Sequence, residues 1–219
     1  MEVKVDEQTV VVFDLDDTLY NELDFLKSAY FEMASSLQKD KPLLLYAEMF
    51  SRYRDGQNVF ASLAEKYHRP IAYFVERYRA HVPNIKPFDG VVPLFRDIRE
   101  KRGKIAVVTD GRSSTQRNKL KALGIEPFID ALVVSEEIGS EKPSKANFMK
   151  IEELLPGTSY LYVADNFKKD FLAPKAMGWK TIGVLDNGKN IHFNIHQYLS
   201  RELYLPLYLI KDFNDLFIR

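Results

Sequence analysis

Residues Thr9–Tyr20 read TVVVFDLDDTLY, an apolar run that delivers three aspartates within four positions and then turns apolar again. Three consecutive valines and a phenylalanine leave no polar face for water, so the run is expected to be a strand buried on both sides, as in a parallel sheet. Asp14, Asp16 and Asp17 then fall at its carboxyl end. Alternation along an extended segment aims Asp14 and Asp16 the same way. Two carboxylates brought to one spot repel each other unless a cation or a shared proton intervenes. The plainer reading is turn and N-cap chemistry, which also places Asp after strands.

Four more runs of strand type follow: KIAVV (104–108), ALVV (131–134), YLYV (160–163) and KTIGV (180–184). From the second run onward they alternate with helix-like segments at 91–102, 115–123, 145–155 and 168–177, and Gly103, Gly124 and Gly178 stand where such helices would stop. This alternation predicts an α/β fold, a Rossmann-like parallel sheet covered by helices. About ninety residues between the first two strands break it. There Leu23, Leu26, Tyr30, Met33 and Leu37, and then Ile71, Phe74, Val75 and Tyr78, recur at steps of three and four, punctuated by Pro42, Pro70, Pro83 and Pro87. Residues 21–86 are therefore expected to be an inserted all-helical domain, with 1–20 and 87–219 forming the α/β core.

The 219 residues, 46% hydrophobic and 13% aromatic, suffice for a sizeable core. The 31 basic and 31 acidic residues cancel, with no dense basic block to hold nucleic acid or an anionic membrane. Cysteine is absent, which excludes disulfides and thiolate chemistry. The start MEVKVDEQ lacks the apolar core of a signal peptide, and no stretch reaches about 18 apolar residues. A cytoplasmic location is expected.

Ligands of open parallel sheets bind beyond the carboxyl ends of the strands. After KIAVV stand Thr109, Asp110 and Gly111, a hydroxyl and a glycine whose N–H a ligand oxygen can approach, though such turns also cap helices. After ALVV comes SEEIGSEKPS with Lys142 before Pro143, and after YLYV comes ADNFKKD with Asp165 and Asp170. Chemically loaded residues thus follow four of the five strands. Asp14, Asp16, Asp165 and Asp170 carry four negative charges and Lys142 returns one, so a phosphate dianion needs a divalent metal, and Mg²⁺ prefers such hard oxygens. Protonation of Asp16, favoured by like-charged neighbours, would remove a further charge and create a general acid.

These residues resemble the haloacid dehalogenase (HAD) superfamily, in the branch whose helical cap follows the first strand. The motif DxDxT is similar to Asp14–Thr18, the second-motif Thr to Thr109, the Lys-Pro motif to Lys142-Pro143 with Phe148, and GDNPxxD to ADNFKKD with Ala176-Met177-Gly178 downstream. Ala164 and Phe167 replace the usual Gly and Pro, and Asp110 stands where many relatives have Asn. The resemblance implies an Mg²⁺-dependent phosphatase acting on a small phosphorylated metabolite, in which Asp14 attacks phosphorus and forms an aspartyl-phosphate. Asp16 then serves as acid and base, and Thr109 with the N–H groups of Asp110 and Gly111 grips phosphate. Lys142 orients Asp14, and Asp14, the Asp16 carbonyl and Asp165 hold the metal, with Asp170 in support.

A sugar-phosphate mutase related to β-phosphoglucomutase would keep all of these residues. A dehalogenase needs neither Asp16 nor the Asp165/Asp170 pair, and a non-catalytic binding protein needs none of them. Within phosphatases, TDGRSSTQRNKLKALGI and EEIGSEKP resemble nucleotidases and sugar-phosphate phosphatases. Substrate choice is expected to lie in the helical insertion, where the turn RYRDGQNVF offers Arg54, Gln57 and Asn58 to a polar leaving group, or else is only a helix connection.

Overall fold

In the computed structural model, which describes residues 1–219, the chain begins with a short strand β1 (Glu2–Val3) and enters the buried strand β2 (Thr9–Phe13). Helices α1 (Glu22–Leu37), α2 (Pro42–Arg54), α3 (Val59–Tyr67) and α4 (Ile71–Ala80) follow, then α5 (Val91–Glu100) and β3 (Lys104–Thr109). The remainder is α6 (Ser113–Ala122), β4 (Ala131–Val134), the single turn α7 (Ser135–Ile138), α8 (Lys145–Leu154), β5 (Ser159–Ala164), α9 (Leu172–Ala176), β6 (Lys180–Val184), β7 (Tyr208–Ile210) and β8 (Phe217–Ile218).

Six strands form one sheet in the order β4-β3-β2-β5-β6-β7, every neighbouring pair parallel. The valine run takes the centre, where both faces are covered and no side chain needs water. Alternation divides each strand between two cores. Val11, Phe13, Ile105 and Val107 pack with Leu94, Phe95 and Ile98 of α5 and Leu120 of α6, whereas Val10, Val12, Val108 and Tyr162 pack with Phe148 and Ile151 of α8. All five strands expected from sequence are present. Strands β1, β7 and β8 were not foreseen; β1 and β8 are two residues each and pair only with one another.

The helix expected at 168–177 forms only over α9, because the Asp170 carboxylate accepts the Asn166 N–H (3.0 Å) and holds the preceding residues in a turn. Gly178, at φ +80, takes the left-handed turn that ends α9, a conformation costly for other residues. The helices α1–α4 bury a core of their own, with Leu26, Tyr30, Met33, Leu45, Met49, Leu63 and Phe74 at its centre. Where α4 returns to the sheet, His81 Nδ1 meets Glu32 Oε2 (2.6 Å) and Nε2 meets Ser28 Oγ (2.7 Å), fastening the return segment to α1. No helix is long and apolar enough to cross a membrane.

Candidate active site

Strand β2 stops pairing one residue late: the Asp14 N–H still donates to the Val163 carbonyl (3.0 Å), which fixes Asp14 at the sheet's carboxyl edge beside β5. Asp17 then turns the chain at φ +58, with its carboxylate accepting the N–H groups of Glu22 (2.8 Å) and Ile191 (2.6 Å). Its role is to shape the loop. Carboxylate oxygens of Asp14, Asp165 and Asp170, all three buried, lie within 4.8 Å of one another. Lys142 Nζ reaches Asp14 Oδ1, Asp170 Oδ1 (2.7 Å) and the Tyr162 hydroxyl (3.1 Å), and the Thr18 hydroxyl donates to Asp165 Oδ1 (3.0 Å). Lys142 precedes Pro143 through a cis peptide bond.

Burial pushes the Asp14 carboxyl up to about 7 even though the Lys142 charge works the other way. Burial and then the Asp14 charge drive Asp165 well above the ordinary carboxylate range. Burial opposes the Lys142 charge too, but Asp14 and Asp170 outweigh it and keep the ammonium well above the usual lysine range. One buried ammonium among three close carboxylates leaves the cluster short of positive charge. Its hard oxygens fit a divalent cation of the Mg²⁺ kind.

Asp16 differs from what its sequence neighbours suggest. Lys119 Nζ donates to both of its oxygens (2.7 and 2.9 Å), Gln116 Nε2 donates to Oδ2 (2.9 Å) and the Tyr20 hydroxyl donates to Oδ1. Burial acts to raise this carboxyl, but the Lys119 charge and these hydrogen bonds prevail and hold it below the ordinary range. The expected protonation by like-charged neighbours is therefore corrected: the groups in contact with Asp16 are a cation and neutral donors. Its side chain stands apart from the three clustered carboxylates.

Thr109 ends β3 with its hydroxyl accepting from Gln116 Nε2. Gly111 sits at φ +124, and its N–H donates to Ser135 Oγ (2.9 Å), so the expectation that this N–H is free to grip phosphate is also corrected. Asp110 accepts the Lys142 N–H (3.1 Å) and Lys169 Nζ (2.6 Å), tying together the loops after β3, β4 and β5. Asp14, Asp16, Thr109, Asp110, Gly111 and Asp165 line one small polar cavity of about 270 Å³. A larger one, about 780 Å³, shares Asp16, Asp110 and Gly111 with it and is walled on the helical side by Glu22, Phe25, Tyr78 and Arg79.

None of the three residues expected to meet a leaving group lines the two cavities that hold Asp16. Asn58 Oδ1 accepts the Ala61 N–H (3.1 Å) as the N-cap of α3, and Gln57 is held between Arg52 Nη1 (2.8 Å) and Asp55 Oδ2 (2.6 Å). Arg54 borders a further cavity with Asp186, Lys189 and Phe193, which also reaches Asn190 and Ile191, the residues hydrogen-bonded to Asp165 and Asp17. Sequence reasoning missed Lys119, Gln116, Tyr20, Thr18, Glu22 and Lys169.

Residues 11–184 match the model of the haloacid dehalogenase-like hydrolase family. The chain belongs to that family. It is a hydrolase of this fold, an enzyme whose expected motifs all fall at the sheet's carboxyl edge. Glyceraldehyde 3-phosphate phosphatase of Methanocaldococcus jannaschii is 27% identical over 197 residues, covering 80% of this chain and 84% of the relative. Ribulose-1,5-bisphosphate 5-phosphatase of Halopiger xanaduensis is 26% identical over 201 residues, covering 80% and 83%. The magnesium-bound structure of YfnB from Bacillus subtilis superposes with a TM-score of 0.65 at 20% identity, covering 95% of this chain and 96% of that one.

Proposed function

We propose that the protein is an Mg²⁺-dependent phosphoric monoester hydrolase that acts on a small phosphorylated metabolite through an aspartyl-phosphate at Asp14. The observation that carries the reading is the division of labour between two neighbouring carboxylates. Asp14 is gathered with Asp165 and Asp170 around Lys142, while Asp16, two residues on, lies between the small cavity and the larger one. This arrangement supports bond making by the first carboxylate and proton transfer by the second.

Asp14, the Asp16 carbonyl, Asp165 and Asp170 would hold Mg²⁺, which when bound supplies positive charge against the carboxylates and the phosphoryl oxygens. Asp16, ionised in the free enzyme, takes up a proton from solvent as the ester binds; an Asp14 oxygen then attacks phosphorus as the bond to the leaving oxygen breaks, and Asp16 passes that proton to the leaving oxygen. Asp16, again ionised, then takes a proton from the water that attacks the aspartyl-phosphate, releasing phosphate and restoring Asp14. The pairing with Lys119 favours the ionised form that this second step uses. Lys142 keeps Asp14 oriented, and the Thr109 hydroxyl meets a phosphoryl oxygen.

Residues 21–86 act as a cap over the chemistry. Glu22, Phe25, Tyr78 and Arg79 supply its contacts to the leaving group, since they wall the cavity that adjoins Asp16. The glyceraldehyde 3-phosphate and ribulose bisphosphate of the relatives' names both present a phosphate on a compact polar body, which suits such a chamber. The test is turnover of a panel of phosphorylated metabolites with Mg²⁺, with Asp14→Asn as control. The variant is expected to lose at least about a thousandfold, roughly 4 kcal/mol of barrier. Activity retained by a verified, uncontaminated Asp14→Asn preparation would refute the assignment.

A further inference from the structure

Beyond β6 the chain leaves the family match and runs over residues 185–207 before β7 begins. This excursion is fastened to the site. Asn190 Nδ2 donates to Asp165 Oδ2 (3.1 Å), the Ile191 N–H donates to Asp17, and Lys175 Nζ donates to the carbonyls of Glu202 (2.6 Å) and Leu205 (2.8 Å). Between the excursion and the turn after β5 lies a cavity of about 680 Å³. Lys168, Lys169 and His192 line it together with the amide of Gln197 and the rings of Tyr198 and Tyr204, and no carboxylate does. Asn166, Lys169 and His192 also line the small Asp14 cavity, so the two adjoin.

We propose that this side cavity is a subsite for a second anionic group, a phosphate or carboxylate, carried by the substrate whose first phosphate reacts at Asp14. The inference rests on the phosphatase reading and narrows its substrate class to metabolites that carry two separate anionic groups. Charge distinguishes the two neighbours of the reaction centre. The chamber under the helices is lined by Asp16, Glu22, Asp110, Glu136 and Glu141 against Arg79, Arg112 and Lys119, the last two already paired with Glu136 and Asp16. Acidic residues outnumber basic ones there five to three, which disfavours a second anion in that chamber. The side cavity offers the opposite: the exposed ammonium of Lys168, with no ion-pair partner, and amide and phenol donors. His192 is held below its ordinary value, first by burial and then by the Lys169 charge. Ile195 and Leu172 give carbon atoms between the two anions an apolar wall.

The experiment compares kcat/KM for matched mono- and bisphosphates of a triose, a pentose and a hexose, with p-nitrophenyl phosphate as reference, in the wild type, Lys168→Glu and Gln197→Glu. The wild type is expected to prefer at least one bisphosphate, and each variant to lower that preference about tenfold, the equivalent of about 1.4 kcal/mol, through KM. Hydrolysis of p-nitrophenyl phosphate is expected to stay within about twofold, since neither side chain touches the reacting atoms. No bisphosphate preference in any pair, or equal losses on mono- and bisphosphates, overturns the subsite while leaving the phosphatase reading intact. A wild type that hydrolyses no ester overturns that reading instead, and calorimetric binding of the same bisphosphates to the wild type and Lys168→Glu then decides the subsite, with equal affinities overturning it. Noncompetitive modulation of p-nitrophenyl phosphate hydrolysis by 3-phosphoglycerate, abolished in both variants, would assign the cavity to a free anion and overturn its place in the substrate site.

Discussion

Replacing Lys119 by methionine isolates the ion pair that holds Asp16. The Lys119 side chain is 4% exposed and the Asp16 side chain 19%, with the ammonium donating to both carboxylate oxygens. Methionine keeps much of the length and the contact with the Phe25 ring, over which Nζ lies at 4.6 Å, but strands Asp16 with only the Tyr20 hydroxyl and the Gln116 amide. Removing one partner of a buried pair costs about 3–5 kcal/mol, and the residual exposure of Asp16 places this case near about 3 kcal/mol. For a chain of this size that is a fall in Tm of about 6–12 °C. Much of the cost comes from the abandoned charge, so it should shrink once Asp16 is neutral. Thermal and urea unfolding of the wild type, Lys119→Met, Asp16→Asn and the double variant, all in EDTA so that metal binding adds nothing, close the cycle. A coupling of about 2 kcal/mol is expected. If the two single costs simply add, the ion pair carries no such weight and the reasoning fails.

Asp16→Asn is expected to slow hydrolysis of alkyl phosphates more than that of p-nitrophenyl phosphate, whose leaving group departs without a proton; equal losses on both esters count against Asp16 as the acid. Chelation should abolish turnover, and Mg²⁺ should raise the Tm of the wild type more than that of Asp165→Asn, because only the folded carboxylate cluster binds it. A Tm insensitive to Mg²⁺ would remove the metal from the site. Asn58→Ala should cost about 1 kcal/mol as a lost N-cap and leave the ranking of substrates unchanged. A changed ranking would restore the turn at 52–60 to the substrate site.

The parallel sheet was legible because its evidence is local: a central strand buried on both faces must be apolar throughout, and its end is marked abruptly by Asp14. The sequence spacing also brings Asp14, Asp165, Asp170 and Lys142 to one edge of that sheet. Strand β7 gave no such mark, since Tyr208 and Leu209 remain exposed at the sheet's edge and neither a buried run nor an alternation results. The excursion before it lacks the periodicity of either regular structure, so its cavity became visible only once the chain was folded.

Lys119 and Gln116 are a different case, because a signal for them was present. Residues 116, 119, 120 and 123 follow the spacing of one helix face, and all four are buried. Two of the four are polar. A lysine and a glutamine on the stripe that faces the core cannot be left without partners, since burying an unpaired ammonium or amide costs more than a helix of this size returns. Something polar had to await them inside, and α6 directly follows the strand that ends in Thr109, beside the one that ends in Asp14. The same test passes over Arg54, Gln57 and Asn58, which stand at a helix junction where water and local caps satisfy polar groups. Polarity on an inward stripe is therefore the stronger pointer to this site than polarity in a turn: the stripe forces a partner to exist, and at the carboxyl edge of this sheet that partner is the carboxylate of Asp16.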